Sequence, residues 1–593
     1  MNGYAPKAQI TVLDAGGQYC HLIARKVREL GVYAEVRPSD TAAEELPVPA
    51  GIIISGGPSS VYEAESPTIA PGILSQGIPA LGICYGHQLM AHLLGGSVSK
   101  GEKGEYGLAF LELAVSSPLF EGLPSGRQQV WMSHRDVVSR VPPGFQVMGR
   151  TQTCPVAAMG DPEQRLYGVQ FHPEVIHTRH GREILENFVF RICGCRKDWN
   201  PKHRIPLITA RIREVAGERN VFFFVSGGVD SSVAYTLCLR ALDPERLRGI
   251  YVDTGLMREG ETEFVRHVFD TFGSGTVRVE AAAERFLGAL EEVRDPEEKR
   301  RIIGEEFVRV QDQILESGHF LEGDWILGQG TIYPDTIESG GTAKAAVIKT
   351  HHNRVPGIQR LIEAGRVLEP LSSFYKDEVR EIGQELGLPR ELLERHPFPG
   401  PGLAIRCLCA ESDAEVERLE DGWLIPLKSV GVQGDSRSYA PVLALEQFPS
   451  PEAHLQETAT ELINRIRGIN RVVARVETRV GMGALEVRSS GLAPARLARL
   501  RRADAIVRRL SREHGFERQV WQFPVILIPL GSAALPDSVV LRPVHSVDGM
   551  TAQSVVMDPT LLRAMAGELL EVEGLCGVFY DLTHKPPATI EWE

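Results

Sequence analysis

Three side chains in two short stretches have the types and spacing of a nucleophile, a proton carrier and an orienting carboxylate. In GICYGHQ, Cys84 stands where an apolar run ends at Gly82 and a helix is expected from about Gln88. A residue in such a strand–turn–helix elbow is presented at a sharp bend. The N–H groups that begin the helix favour a thiolate and can stabilise an oxyanion. Gly82 and Gly86 flank the cysteine, as a crowded turn requires. A second turn, Gln170-Phe171-His172-Pro173-Glu174, ends another apolar run and carries an imidazole with a carboxylate two residues on. Thiol, imidazole and carboxylate form a coherent set for covalent acyl transfer. A lone cysteine is most often a small buried hydrophobe; the glycines and the second turn set Cys84 apart.

A different chemistry is written at Ser226-Gly227-Gly228-Val229-Asp230-Ser231-Ser232. The apolar run from Phe222 stops there and a helix is due, so backbone N–H groups and a helix N-terminus can cradle an anion. The Lys-Ser/Thr ending of the common GxxxxGK[ST] loop is missing. Asp230 would repel a bare phosphate but can hold Mg²⁺ bound to one. The alternative, a Gly-Ser turn capped by Asp, explains the residues but not the buried run before them.

Both sites need a strand that ends in a turn. From residue 8 to about 190, the runs AQITVLDAGG, AGIIISGGP, IPALGIC and RLYGVQFHPE read as buried strands between amphipathic stretches such as HLIARKVREL. That alternation implies an α/β domain on a largely parallel sheet, with sites at the carboxyl ends of the strands. CGCRKDWNPKH, around 193–203, reads as a linker. A second α/β unit follows on NVFFFV, RGIYVD, TVRVEA and DWILGQG, and the Pro/Gly-rich LPRELLERHPFPGPGL closes it. The expected division is therefore 1–195, 203–402 and a third domain, 403–593. In the last, DGWLIPLKSVGVQGD and LINRIRGINRVVARV are echoed in order by WQFPVILIPLGSAALPD and LLEVEGLCGVFYDL. We read a duplicated α+β module, with copies at 403–480 and 490–593.

Bulk properties bound the function. A chain of 593 residues exceeds one core, and 43% hydrophobic with 24% charged residues is ordinary globular composition. A net charge of −13 argues against a generic nucleic-acid binder. Nine scattered cysteines suit reduced thiols, and the pairs Cys193/Cys195 and Cys407/Cys409 lack zinc-site spacing. No signal peptide or membrane-length apolar run is read, so a cytoplasmic location with no membrane partner is expected.

GICYGHQ and FHPE resemble the signature of the class I, triad-type glutamine amidotransferases. The resemblance implies that Cys84 attacks the glutamine side-chain amide, with His172 as general base and acid and Glu174 as orienter. It also implies an oxyanion hole from the N–H groups of Gly57, in SGGP, and Tyr85. Gln88 would bind glutamine, as would Ser133, His134 and Asp136 in MSHRD, where Arg135 replaces the family's usual glycine.

SGGVDSS is similar to the loop of N-type ATP pyrophosphatases, an adenine-nucleotide α-hydrolase-like fold. There the loop grips the leaving pyrophosphate while AMP goes to the acceptor, which accounts for the missing lysine. The likeness implies ATP binding by Ser226, Gly227, Gly228, Val229, Asp230, Ser231, Ser232, Asp253 and Lys349, with Mg²⁺ at Asp230. The pairing of both motifs in one chain resembles the glutamine-hydrolysing GMP synthases. GQGTIYPDTIES, RHPFPGPGLAIR, VGVQGDSRSY and KPPATIEWE extend the match along nearly the whole sequence.

The acceptor implied is XMP, held by Arg300, Arg437, Gln522, Lys585, Thr589 and Glu591, with KPPATIEWE as a docked tail. The copies in 403–593 would make the chain a monomer with an internal pseudo-dimer, or else a homodimer. Two other readings stay open here. The chain could be a glutamine-dependent adenylating ligase for another acceptor, such as a tRNA base, or a scaffold that has lost catalysis.

Overall fold

A computed structural model of the chain describes residues 6–593 apart from 18, 47, 71, 274–275, 339–354, 434–435, 449–454, 467, 547–551 and 586. Lys349 therefore lies outside the described residues, as does the side chain of Arg437. Two compact units result. The first comprises Met1–Glu214 with parts of Thr331–Ile348 and Pro370–Glu385; the second comprises Val215–Gly330, Leu386–Glu593 and part of Lys349–Glu369.

The first unit is built on nine strands: β1 (Ile10–Asp14), β2 (Ala34–Pro38), β3 (Gly51–Ile54), β4 (Ala80–Ile83), β5 (Ser97–Leu113), β6 (Gln128–Arg140), β7 (Gln146–Arg150), β8 (Ala158–Asp161) and β9 (Leu166–Val169). Their order is β2-β1-β3-β4-β9-β8-β7-β5-β6. The first five run parallel, and β8, β7, β5 and β6 extend them antiparallel. GIII of β3 and ALGI of β4 are buried at every position, as strands covered on both faces must be. Helix α1 (Cys20–Glu29) turns Cys20, Ile23, Ala24 and Val27 inward at helical spacing. Arg28 is buried on the same face, and its Nη1 donates to Glu378 at 3.1 Å and to the Ser373 carbonyl at 2.8 Å. The expected linker is ordered: the N–H of Asp198 donates to Gly31 at 2.9 Å, and Trp199 is buried.

The second unit opens with a five-stranded, wholly parallel sheet. Its strands are β10 (Asn220–Phe224), β11 (Leu247–Asp253), β12 (Val277–Ala281), β13 (Trp325–Gly328) and β14 (Val367–Leu368), in the order β12-β11-β10-β13-β14. Beyond residue 410 a seven-stranded sheet contains β15 (Glu417–Leu419), β16 (Gly422–Gln433), β17 (Ser436–Leu445), β18 (Arg471–Thr478), β19 (Val525–Ile528), β20 (Asp537–Leu541) and β21 (Leu575–Asp581). Its order is β15-β16-β17-β18-β21-β20-β19. On one side β16 and β17 pair antiparallel, the helix Leu455–Arg465 follows, and β18 returns parallel to β17. On the other, β19 and β20 pair antiparallel, the helix Pro559–Leu570 follows, and β21 returns parallel to β20. The two β-β-α-β paths meet at the antiparallel β18–β21 pair.

Candidate active site

Cys84 sits where β4 passes into α2 (Tyr85–Leu93), so the helix starts three residues before the expected Gln88. The cysteine has φ 53° and ψ −106°, a conformation uncommon outside glycine, and its N–H is held by the Val169 carbonyl at 2.8 Å. The turn tolerates no bulk beside it. A Cβ at Gly86 would lie 2.3 Å from the Ile54 carbonyl oxygen, and one at Gly82 would lie 2.4 Å from that of Gly86. Steric crowding accounts for both glycines.

His172 lies in the turn after β9, which pairs with β4, so adjacent strand ends bring thiol and imidazole together. The ring lies beside Cys84, and its Nδ1 lies 2.7 Å from Oε1 of the buried Glu174. Burial favours the neutral ring, but the charge and hydrogen bond of Glu174, with the nearby Cys84 sulfur, outweigh it. They raise the imidazole from its ordinary 6.5 to about 10. At neutral pH His172 is therefore an imidazolium, a proton donor beside the sulfur.

The Ser55–Pro58 loop borders the same space. A Cβ at Gly56 would come 3.4 Å from His172 Cε1 and 3.6 Å from Cys84 Cβ, and one at Gly57 would come 3.3 Å from the Tyr85 ring. Gly57 and Tyr85 are thus adjacent at the elbow. Gln88 donates from Nε2 to the Asp136 carbonyl at 2.8 Å, and the Cys84 thiol donates to the Ser133 carbonyl at 3.6 Å. The Asp136 carboxylate accepts from Tyr62 at 3.0 Å and from Ser60, and His134 lies 3.0 Å from the Asp136 carbonyl. These residues gather on β6, where Arg135 is exposed in the strand. Gln170, singled out by sequence only as part of its turn, donates to Cys84 Sγ at 3.6 Å.

In the second unit β10 ends at the glycine loop and helix α3 (Val229–Ala241) follows. Gly227 has φ +74°, where only glycine is unstrained, and its carbonyl accepts from Arg395 Nη1 at 3.2 Å. Arg395 is held in turn by Glu261. Ser226 and Ser231 hydroxyls bond at 3.0 Å, and Gly330 packs so closely that a Cβ there would lie 2.8 Å from Ser231 N. Asp230 lies in the first turn of α3, and Ser232 is buried behind it. Asp253, at the end of β11, accepts from the Gly255 N–H at 3.0 Å and Thr262 at 3.1 Å. The loop offers one carboxylate and several hydroxyls. That hard-oxygen set suits Mg²⁺ completed by phosphate oxygens, and no protein-only metal cluster occurs among the described residues.

The residues expected to hold XMP are only partly assembled by direct contact. Glu591 receives the Arg406 fork at 2.9 and 2.7 Å and the Gln522 amide at 3.3 Å. Thr589 donates to the Val430 carbonyl at 3.1 Å, and Arg300 donates to the Glu593 carbonyl. The backbone of Lys585 pairs with that of Ala552. The tail is docked: Trp592 is 1% exposed, its Nε1 donates to Asp581 at 2.9 Å, and Glu593 pairs with the buried Lys299. Arg395 and Arg406 had no expected role. The sole sequence signal was that both bracket HPFPGPGLAI.

Known proteins resemble this chain along nearly its whole length. Residues 11–192 match the family described as "Glutamine amidotransferase class-I", and residues 510–592 match "GMP synthase C terminal domain". The chain is 42% identical over 601 residues to the "Probable GMP synthase [glutamine-hydrolyzing]" of Leptospira interrogans, covering 99% of each. It is 40% identical over 600 residues to the "GMP synthase [glutamine-hydrolyzing]" of Thermobifida fusca, covering 98% of each. A third relative, of the same description from Caldicellulosiruptor saccharolyticus, is 45% identical over 500 residues, covering 78% of this chain and 96% of its own. The chain belongs to the family of glutamine-hydrolysing GMP synthases.

Proposed function

We propose that the chain makes GMP from XMP with nitrogen from glutamine. Glutamine and water give glutamate and ammonia; ATP adenylates XMP and releases pyrophosphate; ammonia then displaces AMP. The observation that carries this reading is the connected set Cys84, His172 and Glu174, with its 2.7 Å imidazole–carboxylate contact, in a chain with full-length relatives of that name. Incubating the protein with glutamine, ATP, Mg²⁺ and XMP tests it directly. GMP, AMP and pyrophosphate should form in equal amounts; their absence refutes the reading.

At the first site Cys84 attacks the glutamine amide carbon as the thiolate, paired with the imidazolium of His172, and the carbonyl electron pair moves to oxygen between the N–H groups of Gly57 and Tyr85. The imidazolium of His172 gives its proton to the departing nitrogen, leaving a thioester. The neutral ring then takes a proton from water, whose oxygen attacks the thioester; the sulfur leaves as thiolate and the thiolate–imidazolium pair is restored. Glu174 holds the ring in orientation throughout. Gln88, Ser133, His134 and Asp136 bind glutamine; the contacts of Ser133 with the sulfur and of Gln88 and His134 with the Asp136 carbonyl support this.

At the second site Ser226, Gly227, Gly228, Val229, Ser231 and Ser232 hold the pyrophosphate end of ATP, and Asp253 contacts the nucleotide. The left-handed Gly227 and the helix start behind it support that assignment. Lys349 is assigned to ATP on its sequence motif. Asp230 would hold Mg²⁺, which would supply charge neutralisation on the leaving pyrophosphate. Arg300, Arg437, Gln522, Lys585, Thr589 and Glu591 hold XMP, supported by the convergence of Gln522 on Glu591.

The proposed domain division is an amidotransferase over 1–195, an ATP pyrophosphatase over 203–402 and a duplicated module over 403–593. The matching β-β-α-β paths about β18 and β21 support the duplication. So does the third relative, most of which aligns with about four-fifths of this chain. With both halves in one sheet, we infer a monomer with an internal pseudo-dimer, in the cytoplasm. No helix among the described residues is long and apolar enough to cross a membrane.

A further inference from the structure

Gln170 stands two residues before His172 and is completely buried. Its amide bridges two groups. Nε2 donates to Cys84 Sγ at 3.6 Å, and Oε1 accepts from Gln88 Nε2 at 3.2 Å.

Which end of an amide faces which neighbour must be decided by chemistry. Here a backbone carbonyl decides it. The Asp136 oxygen can only accept, and it lies 2.8 Å from Gln88 Nε2. Gln88 therefore turns its nitrogen to that corner, and the same nitrogen faces Gln170. Turning Gln170 over would oppose nitrogen to nitrogen and oxygen to sulfur. Its N–H must point at the sulfur. The thiol's own proton is directed to the Ser133 carbonyl, which leaves the sulfur lone pairs to accept.

We propose that Gln170 is a further catalytic residue, whose N–H holds the Cys84 sulfur while that atom is anionic. This rests on Cys84 as the nucleophile and adds a donor to it. A neutral thiol accepts weakly, but an anion in a buried site receives a much stronger bond. The contact therefore favours the thiolate before attack, when sulfur forms its bond to carbon. It acts again when the thioester breaks and the electron pair returns to sulfur. No proton passes through Gln170; protons travel by His172.

Alkylation of Cys84 by iodoacetamide, located by peptide mass spectrometry in the full chain, tests the inference. Gln170→Leu removes the donor at similar size, and Gln170→Glu keeps the shape but sets a carboxylate against the sulfur. Both should lower the alkylation rate near pH 7 by about tenfold. Both should leave it unchanged near pH 10, where free thiols are ionised in any case. GMP formation from added ammonium, which bypasses the thiol, should persist in both and report the fold. A purely structural Gln170 would not split the two pH values. Parental alkylation near neutral pH in either folded variant overturns the proposal. If alkylated Cys84 still hydrolyses glutamine, the nucleophile assignment fails first and takes this inference with it.

Discussion

Glu591 and Arg406 form a two-point contact: Nε donates to one carboxylate oxygen at 2.9 Å and Nη2 to the other at 2.7 Å. Arg406 is fully buried, and its guanidinium lies 5.2 Å from the centre of the Phe398 ring. Glu591 is thereby presented as a fixed carboxylate with little freedom left. Arg406→Lys keeps the charge but loses the fork and the stacked plane. With ammonium as nitrogen source, the variant should raise KM for XMP by about tenfold, the worth of one charge-assisted bond. Its glutaminase rate without nucleotides should match the parent. Unchanged KM for XMP would remove Glu591 from the site.

Separation of the two chemistries predicts a clean split for Cys84→Ala. Glutamine-dependent GMP formation should fall by about three orders of magnitude or more, as when a covalent nucleophile is lost. Formation from added ammonium should persist. Loss of both in a folded variant refutes the two-site mechanism.

The raised imidazole makes a pH prediction with a definite sign. The folded value of His172 is about 10 against an ordinary 6.5, so folding binds a proton that the unfolded chain releases earlier. The contribution of the His172–Glu174 pair is therefore complete below about 6.5 and is lost as pH rises through about 10. The melting temperature of Glu174→Gln should fall furthest below the parent on the acidic side of that window and converge with it on the alkaline side. A constant gap across the window would contradict the pairing.

Asp581 is completely buried, 2.6 Å from Arg471 and 2.7 Å from Arg542, which are themselves buried, and it accepts from Trp592 as well. Asp581→Asn leaves two guanidinium groups without a counter-charge, a loss of about 3–5 kcal/mol. The C-terminal sheet should melt first in this variant, read by hydrogen exchange in β18 and β21. Protection equal to the parent's would mean that the tail does not depend on this carboxylate.

Sedimentation velocity tests the internal pseudo-dimer. A single species near 65.2 kDa is expected at all concentrations. A stable species of twice that mass would refute it.

The elbow at Cys84, the turn of His172 and Glu174 and the glycine loop were legible because each lies in a local pattern, an apolar run ending in a turn. Strand ends were read to within a residue or two, since GIII, ALGI and Val221–Phe223 are buried throughout. The helix after Cys84 begins earlier than expected because Gly86, a poor helix former, is required there by contact with Ile54. Partners distant in sequence were not legible. Arg406 and Glu591 are separated by 185 positions and Arg28 and Glu378 by 350, and a single sequence gives no sign of such pairs. The contacts that hold the segment 193–203 were hidden for the same reason: Asp198 and Trp199 are paired with Gly31 and Tyr33, far upstream.

β21 is the last strand of the described chain, yet it lies between β18 and β20 in the middle of its sheet. A polypeptide emerges from the ribosome amino end first. Until Leu575–Asp581 are made, β18 and β20 each expose an open edge, and the cations at Arg471 and Arg542 have no carboxylate to meet. The first unit's nine-stranded sheet can close long before that. The sheet that carries the tail must wait for nearly the whole chain, so its two halves are held apart in time during synthesis although they end side by side.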